Sequence, residues 1–134
     1  MRADTQTVII GASAEDVRAF VADPQNLPRW AIGFAKGIGR DEDGGWIVHT
    51  ASGPIPVDVR TDAALGTVDF VMRPAPGAEA IAYSRAVDSG QGCAYSFTQV
   101  QAPGMPDDVF DAQVEALRHE LVALKALLEV QCPL

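Results

Sequence analysis

A long amphipathic helix follows a run of strands at the end of this chain, and that order narrows the folds open to it. From about Asp107 to Val130, apolar residues recur at spacings of four and three: Phe110, Val114, Leu117, Leu121, Leu124 and Leu128. Such spacings line up along one side of a helix. Asp111, Glu115, Arg118, Glu120, Lys125 and Glu129 fall mostly on its remaining surface. A stripe this long needs a partner surface of similar length, and the preceding strands are the one on offer. A twisted sheet closed over a single long helix tends to leave a hollow, and hollows bind small molecules.

The strand region has a simple grammar. Thr5–Ile10 is β-branched and apolar and reads as a first strand. Ser13 is a good N-cap, with Asp16 as a weak capping-box partner, for a helix from Ala14 to about Ala22 with Val17, Phe20 and Val21 as its apolar face. Asp23-Pro24 stops that helix. Asn26 is expected to cap a second short helix, with Pro28 in its first turn and Leu27, Trp30, Ala31 and Phe34 along one side. The period then switches to two. Strands are expected at Lys36–Asp41, Trp46–Ala51, Pro54–Thr61, Thr67–Arg73, Ala80–Val87 and Gly92–Val100, with a loop at Pro74–Gly77. Short, evenly spaced strands joined by Gly, Pro and Asp turns make an antiparallel meander. Pro106, Asp107 and Asp108 open the long helix, where proline and acidic groups suit a helix start. The whole is an α+β domain with its helices gathered on one face of the sheet.

With 134 residues and 48% hydrophobic composition, the chain reads as one domain, 1–134. Its net charge of −8 disfavours phosphate backbones and anionic membrane surfaces, so no nucleic-acid partner is expected. No run reaches the ~18 apolar residues of a membrane span. The segment before Ser13 lacks a signal-peptide core, which makes the cytoplasm the expected compartment. Cys93 and Cys132 have neither CxxC spacing nor a neighbouring His, so no metal or redox site is expected. There is no phosphate loop, dinucleotide fingerprint or nucleophile elbow, and no cofactor is expected.

Alternation sorts the strands into faces. Ile55, Val57 and Val59 are expected to point inward, as are Val68, Phe70 and Met72, and Cys93, Tyr95 and Phe97. In Ala80–Val87 the larger set, Ile81, Tyr83, Arg85 and Val87, is expected inside, which would carry Tyr83 and Arg85 to the hollow. Trp46–Ala51 does not sort: Trp46, Val48 and Thr50 compete with Ile47, His49 and Ala51. For Phe70, Met72 and Phe97, core packing competes with ligand contact. Tyr83 and Tyr95 carry phenols that need a partner when buried, and a ligand, a water or a carbonyl could supply it. Arg85 would need an acid, solvent or an anionic ligand group. His49 could serve as a general base if it faced the hollow. Trp30 could form one rim, or pack as core. Leu117 and Leu121 close the hollow from the helix side.

Several segments resemble one superfamily. Thr7-Val8-Ile9-Ile10-Gly11-Ala12-Ser13-Ala14-Glu15-Asp16-Val17, then Asp23-Pro24 through Leu27-Pro28-Arg29-Trp30, are similar to the opening of the START-like helix-grip proteins, the SRPBCC superfamily. Gly44-Gly45-Trp46-Ile47-Val48-His49-Thr50 with Gly53, Arg85-Ala86-Val87 with Gly90 and Gly92, and Pro103-Gly104-Met105 through Leu127-Leu128-Glu129 resemble its bacterial polyketide cyclase/dehydrase-like branch. The resemblance covers nearly the whole chain. It implies a curved antiparallel sheet gripping the C-terminal helix, with a hydrophobic cavity between them. It also implies binding of a lipid- or polyketide-like molecule, or cyclisation or dehydration of one. In the aromatic-ring cyclases a few polar cavity residues act; His49, Tyr83, Arg85 and Tyr95 are the residues of those types here, with His49 and Arg85 as catalytic candidates. Binding is the first expectation and a cofactor-free cyclase or dehydratase the second. A protein-interaction module is the third, and a homodimer stays open.

Overall fold

A computed structural model describes residues 1–134. The first strand, β1 (Ala3–Ile10), turns at Gly11 and Ala12 into α1 (Ala14–Ala22). Ser13 caps α1: its Oγ accepts from the N–H of Asp16 at 3.1 Å, satisfying a donor that the first turn leaves free. Val17, Phe20 and Val21 form the buried face. At Asp23 the helix stops, and the Asp23 carboxylate accepts from the N–H of Gln25 to start one 3-10 turn, Pro24–Asn26. α2 (Leu27–Trp30) follows. Contrary to expectation, Asn26 does not cap it with its side chain. Its Nδ2 instead donates to the Phe20 carbonyl at 2.9 Å, tying the start of α2 to the end of α1.

The strands are β2 (Gly37–Arg40), β3 (Trp46–Thr50), β4 (Gly53–Asp62), β5 (Thr67–Ala75), β6 (Ala78–Asp88) and β7 (Cys93–Val100). With β1 they make one seven-stranded sheet in the order β1-β7-β6-β5-β4-β3-β2, every pair antiparallel. Side-chain acceptors shape the turns. Asp41 Oδ1 takes the N–H groups of Asp43 and Gly45, and Asp62 Oδ1 takes those of Ala64 and Leu65. Glycine is required at Gly66, where φ is +73° and a Cβ would lie 2.2 Å from the Ala86 carbonyl oxygen. The predicted loop at Pro74–Gly77 is shorter than expected. β5 continues through Ala75, and Pro76 and Gly77 alone make the turn. Pro74 cannot donate to the ladder, and the β5–β6 register shifts between Met72 and Ala75.

α3 (Asp107–Gln131) lies across the inner face of the sheet, closest to β1 and α2, while α1 covers β5, β6 and β7. Phe110, Leu117, Leu121, Leu124 and Leu128 are buried, as their spacing predicts, and each contributes roughly 1.5–3 kcal/mol. Polar contacts fix the helix along its length. Arg2 Nη2 meets Asp111 Oδ1 at 2.7 Å near its start. Gln6 Nε2 donates to the Val114 carbonyl at 2.9 Å in its first half. Near its end, Glu129 Oε2 accepts from the N–H of Gly11 at 2.8 Å, and Lys125 Nζ donates to the Ile9 carbonyl at 2.8 Å. Glu120 departs from the expected surface position: it is 6% exposed. It lies three residues past Leu117 and one before Leu121, so it shares the flank of the apolar stripe.

The inner face of β6 also departs from expectation. Ala82, Ser84 and Ala86 are buried, whereas Tyr83, Arg85 and Val87 are exposed on the outer face. The alternation was right and its phase was inverted. α1 packs over β6, where small side chains suit the contact of a helix with a sheet. No helix is long and apolar enough to cross a membrane.

Candidate ligand-binding site

Between the sheet and α3 lies an aromatic cluster built from three elements. Phe70 of β5 and Phe97 of β7 stack with centroids 5.9 Å apart, and Trp30 of α2 meets them at 6.5 and 6.3 Å. Tyr95 packs edge-on to Phe97 at 6.5 Å. Each such pair adds about 0.5–1.5 kcal/mol beyond the area it buries. Ser84 and Phe97 are directly paired in the β6–β7 ladder, and Phe70 is paired with Ala82. The small β6 side chains thus form the floor of a trough whose sides are Phe70, Phe97 and Tyr95.

Polar atoms are rare here and several have no partner. Trp30 Nε1, the Tyr95 hydroxyl and Gln99 Oε1 are buried without a hydrogen bond. A buried polar group left unpaired costs about 1–3 kcal/mol, so each calls for an explanation. Ser84 Oγ lies close enough to Tyr95 to favour its ionised form, but its own proton goes to the Val68 carbonyl at 2.6 Å. Burial outweighs that influence and pushes the phenol well above its ordinary range, so it stays protonated.

Glu120 closes one side of this space. Its Oε2 accepts from the N–H groups of Gly33 and Phe34 at 3.1 and 3.2 Å, holding the α2–β2 connection against α3. Burial pushes its carboxyl above the usual carboxylate range, and the bonds from Phe34 and Gly33 oppose the rise. Phe34, half-buried, packs against the core from that connection.

The structure sorts the predicted residues into two groups. Trp30, Phe70, Met72, Tyr95, Phe97, Leu117 and Leu121 lie on or against the inner face, with Met72 half-buried and the rest buried. Tyr83, Arg85 and His49 do not. Tyr83 is 46% exposed, and Arg85 Nε donates outward to the Leu65 carbonyl at 2.9 Å. On β3 the set Trp46, Val48 and Thr50 faces in, so His49 faces out and lies over Gly37 and Gly39 of β2. Neither catalytic candidate reaches the interior. Ser84, Gln99 and Glu120 were missed by the sequence reading. Gln99 was legible by carrying the alternation of Tyr95 and Phe97 one step further, and Glu120 by its helical spacing. Ser84 depended on the phase of β6.

Two openings lie away from the aromatic cluster. One, of about 250 Å³, sits between the start of α1, the β4–β5 turn and Arg85 of β6. The other, about 560 Å³ and open to solvent, runs along the β5–β6 hairpin beside Pro56 and Arg73. Trp30, Phe70, Tyr95 and Phe97 are all buried, so neither opening reaches their rings. No three His, Cys, Asp or Glu side chains converge as a metal site would require.

A seven-stranded antiparallel sheet gripping a long C-terminal helix, with short helices after the first strand, defines the START-like helix-grip fold, and this chain has it. Solved structures align over almost its full length. A START superfamily protein from Mycobacterium smegmatis is similar at 19% identity, covering 96% of this chain and 98% of that one, with a TM-score of 0.71. The di-domain ARO/CYC BexL from the BE-7585A biosynthetic pathway matches at 20% identity and a TM-score of 0.75, over 96% of this chain and 47% of BexL. The Aha1 dimer from Colwellia psychrerythraea matches at 16% identity and a TM-score of 0.71, over 97% and 98% of the two chains. No protein-family model and no curated protein matches the chain.

Proposed function

We propose that this chain binds a small, mostly apolar molecule, lipid- or polyketide-like, between the inner sheet face and α3. The observation that carries this reading is the set of unpaired polar atoms on Trp30, Tyr95 and Gln99 inside an interior lined mainly by apolar side chains. A guest with a few polar groups would satisfy them, and the likeness to an ARO/CYC protein supports a polyketide-like guest. Trp30, Phe70, Met72, Tyr95, Phe97, Leu117 and Leu121 would contact it. The closed interior requires the grip to open for admission, and the Gly33–Phe34 connection held by Glu120 is the segment placed to move. The cyclase alternative loses His49 as its base and Arg85 as its anion partner, since both face away. The cytoplasm remains our proposed compartment.

Native mass spectrometry of the purified protein tests the reading, together with thermal shifts across a lipid and polyketide panel. A guest at a hundredfold excess over its dissociation constant should stabilise the fold by about 2.7 kcal/mol. If nothing co-purifies and no compound raises the melting temperature, the binding role is wrong.

The outer face supports a second reading, a homodimer. Ile9, Tyr83 and Val87 are exposed there, beside hydroxyls paired only with each other: Thr5 with Thr98 at 2.8 Å and Thr7 with Ser96 at 2.9 Å. The charges on this area, Arg85 between Tyr83 and Val87 and Asp69 opposite Tyr83, are of opposite sign, so in a chain of net charge −8 two copies approach here with little repulsion. The likeness to a dimeric Aha1 points the same way. Sedimentation should show a dimer that Tyr83→Glu converts to monomer; a wild-type monomer at all concentrations removes the idea.

A further inference from the structure

The basic side chains are unevenly engaged. Arg2, Arg18, Arg73, Arg118 and Lys125 each meet a carboxylate in an ion pair. Arg29 and Lys36 do not, and both lie in a stretch of unusual charge. From Pro24 to Arg40 the chain carries Arg29, Lys36 and Arg40 and no Asp or Glu, within a protein of net charge −8.

The local fold sorts this stretch by exposure. The Leu27 carbonyl accepts from the N–H of Ala31, and the Ala31 carbonyl from those of Phe34 and Ala35, so the coil of α2 is prolonged into the connection to β2. Leu27, Trp30, Ala31 and Ala35 are buried, whereas Arg29, Ile32, Gly33 and Lys36 are exposed. The spacing of the exposed set is that of one helical face. Ile32, a large apolar side chain at 50% exposure, therefore sits between two cations.

Both cations bond only to neutral atoms. Arg29 donates to Asn26 Oδ1 at 3.2 Å and to Gln131 Oε1 at 3.0 Å, with its Cζ 5.1 Å from the centre of the Phe20 ring. Lys36 Nζ donates to the Ile32 carbonyl at 3.0 Å. These bonds hold the two charges in place without cancelling them. Glu120 feels the charge of Lys36 from beneath, but it is buried and its Oε2 is taken by Gly33 and Phe34. Arg40 falls outside the patch, because it adjoins the acidic turn Asp41-Glu42-Asp43.

We propose that this exposed side of the α2–β2 connection docks an acidic peptide segment of a partner protein, with carboxylates on Arg29 and Lys36 and an apolar side chain on Ile32. It goes beyond the binding reading and needs no guest in the interior. The Arg29 guanidinium offers a carboxylate more than one N–H, and Lys36 offers a point charge. A single peptide segment touches the patch alone. A surface of anionic lipid would also face the exposed acids on either side of it in the chain, Asp23 and Asp41 through Asp43, and be repelled by them.

Fluorescence anisotropy of the full chain with a labelled peptide of glutamate and leucine tests this, beside a glutamate–serine peptide and co-sedimentation with phosphatidylglycerol vesicles. The glutamate–leucine peptide should bind, and more weakly as salt rises. Lys36→Glu and Arg29→Glu should each weaken it about threefold, and together at least about tenfold. Ile32→Ser should weaken the glutamate–leucine peptide about threefold and leave the glutamate–serine peptide unchanged. Arg60→Glu makes the same change of charge on exposed β4 and should leave both peptides unchanged. Lys36→Glu removes one bond to a carbonyl and carries the test if Arg29→Glu does not fold. Equal weakening by Arg60→Glu and Lys36→Glu reduces the binding to net charge and overturns the patch. Vesicles held through Lys36 more tightly than the peptide overturn the choice of partner. Absence of binding by the glutamate–leucine peptide at low salt overturns the proposal outright.

Discussion

The inner face of the sheet is sealed differently at its two ends. Under α1 and the C-terminal half of α3, Ile10, Val17, Val21, Val68, Cys93, Tyr95, Leu124 and Leu128 are all fully buried. Toward β2 and β3, Val48 and Val57 are buried as well, but Phe34, Ile38, Trp46, Val59 and Met72 pack against the same core and stay half-buried. The first end is covered by two helices and tied to β1 through Lys125 and Glu129. The second is covered by a four-residue helix and a connection that one carboxylate ties to α3. One end behaves as a core and the other as a closure. A binding protein needs both, because rigidity at one side lets the other open without unfolding the whole.

The largest expected effect is in the sealed end. Leu124→Ala should cost about 2–5 kcal/mol in chemical denaturation, and Met72→Ala less than half as much, because a half-buried site loses less contact and can relax. Equal losses would erase the contrast between core and closure. Next comes the carboxylate. Glu120→Ala leaves the Gly33 N–H without its acceptor, while the Phe34 N–H keeps the Ala31 carbonyl at 3.0 Å, and should cost about 1–3 kcal/mol, whereas Glu120→Gln retains an acceptor and should cost less. Hydrogen exchange at Gly33 and Phe34 should accelerate in Glu120→Ala ahead of β7. Unchanged protection there would mean the connection is held by something else.

The two glutamates of α3 sharpen the comparison through pH. Burial raises the Glu120 carboxyl above its ordinary range. The unfolded chain therefore releases that proton at lower pH than the fold does, so the fold binds more protons in the interval. Stability from this group falls as pH rises from the ordinary glutamate value to the raised one, and is level above it. Lys125 and the Gly11 N–H hold Glu129 below the usual range. Its contribution is complete above the ordinary value and is lost as pH falls through the lowered one. Melting curves of Glu120→Gln should lack the decline at the upper side, and those of Glu129→Gln the loss at the acid side. If both variants track the parent at every pH, the carboxylates do not report on the two ends.

The smallest effects belong to the outer face. His49→Ala and Arg85→Ala should each change stability by no more than about 0.5 kcal/mol and leave ligand affinity unaltered. A loss of binding in either variant would bring the outer face back into the site.

Much of this protein was written in local pattern. The spacing of Leu117, Leu121, Leu124 and Leu128 required a helix with one buried side, and Ser13, Asp23 and the Asp-Gly turns marked where elements stop. Such signals act between residues a few positions apart, so they survive in a one-dimensional string. Which side of a strand faces in is a different kind of fact. On β6 both sets alternate equally well, and hydrophobicity favoured Ile81, Tyr83 and Val87, yet Ala82, Ser84 and Ala86 are the residues buried on the side that α1 covers. The outward turn of His49, the burial of Glu120 and the gathering of Trp30, Tyr95 and Gln99 around Phe97 likewise depend on elements far apart in the chain. Periodicity determined the elements; packing distance decided which chemistry ended up inside.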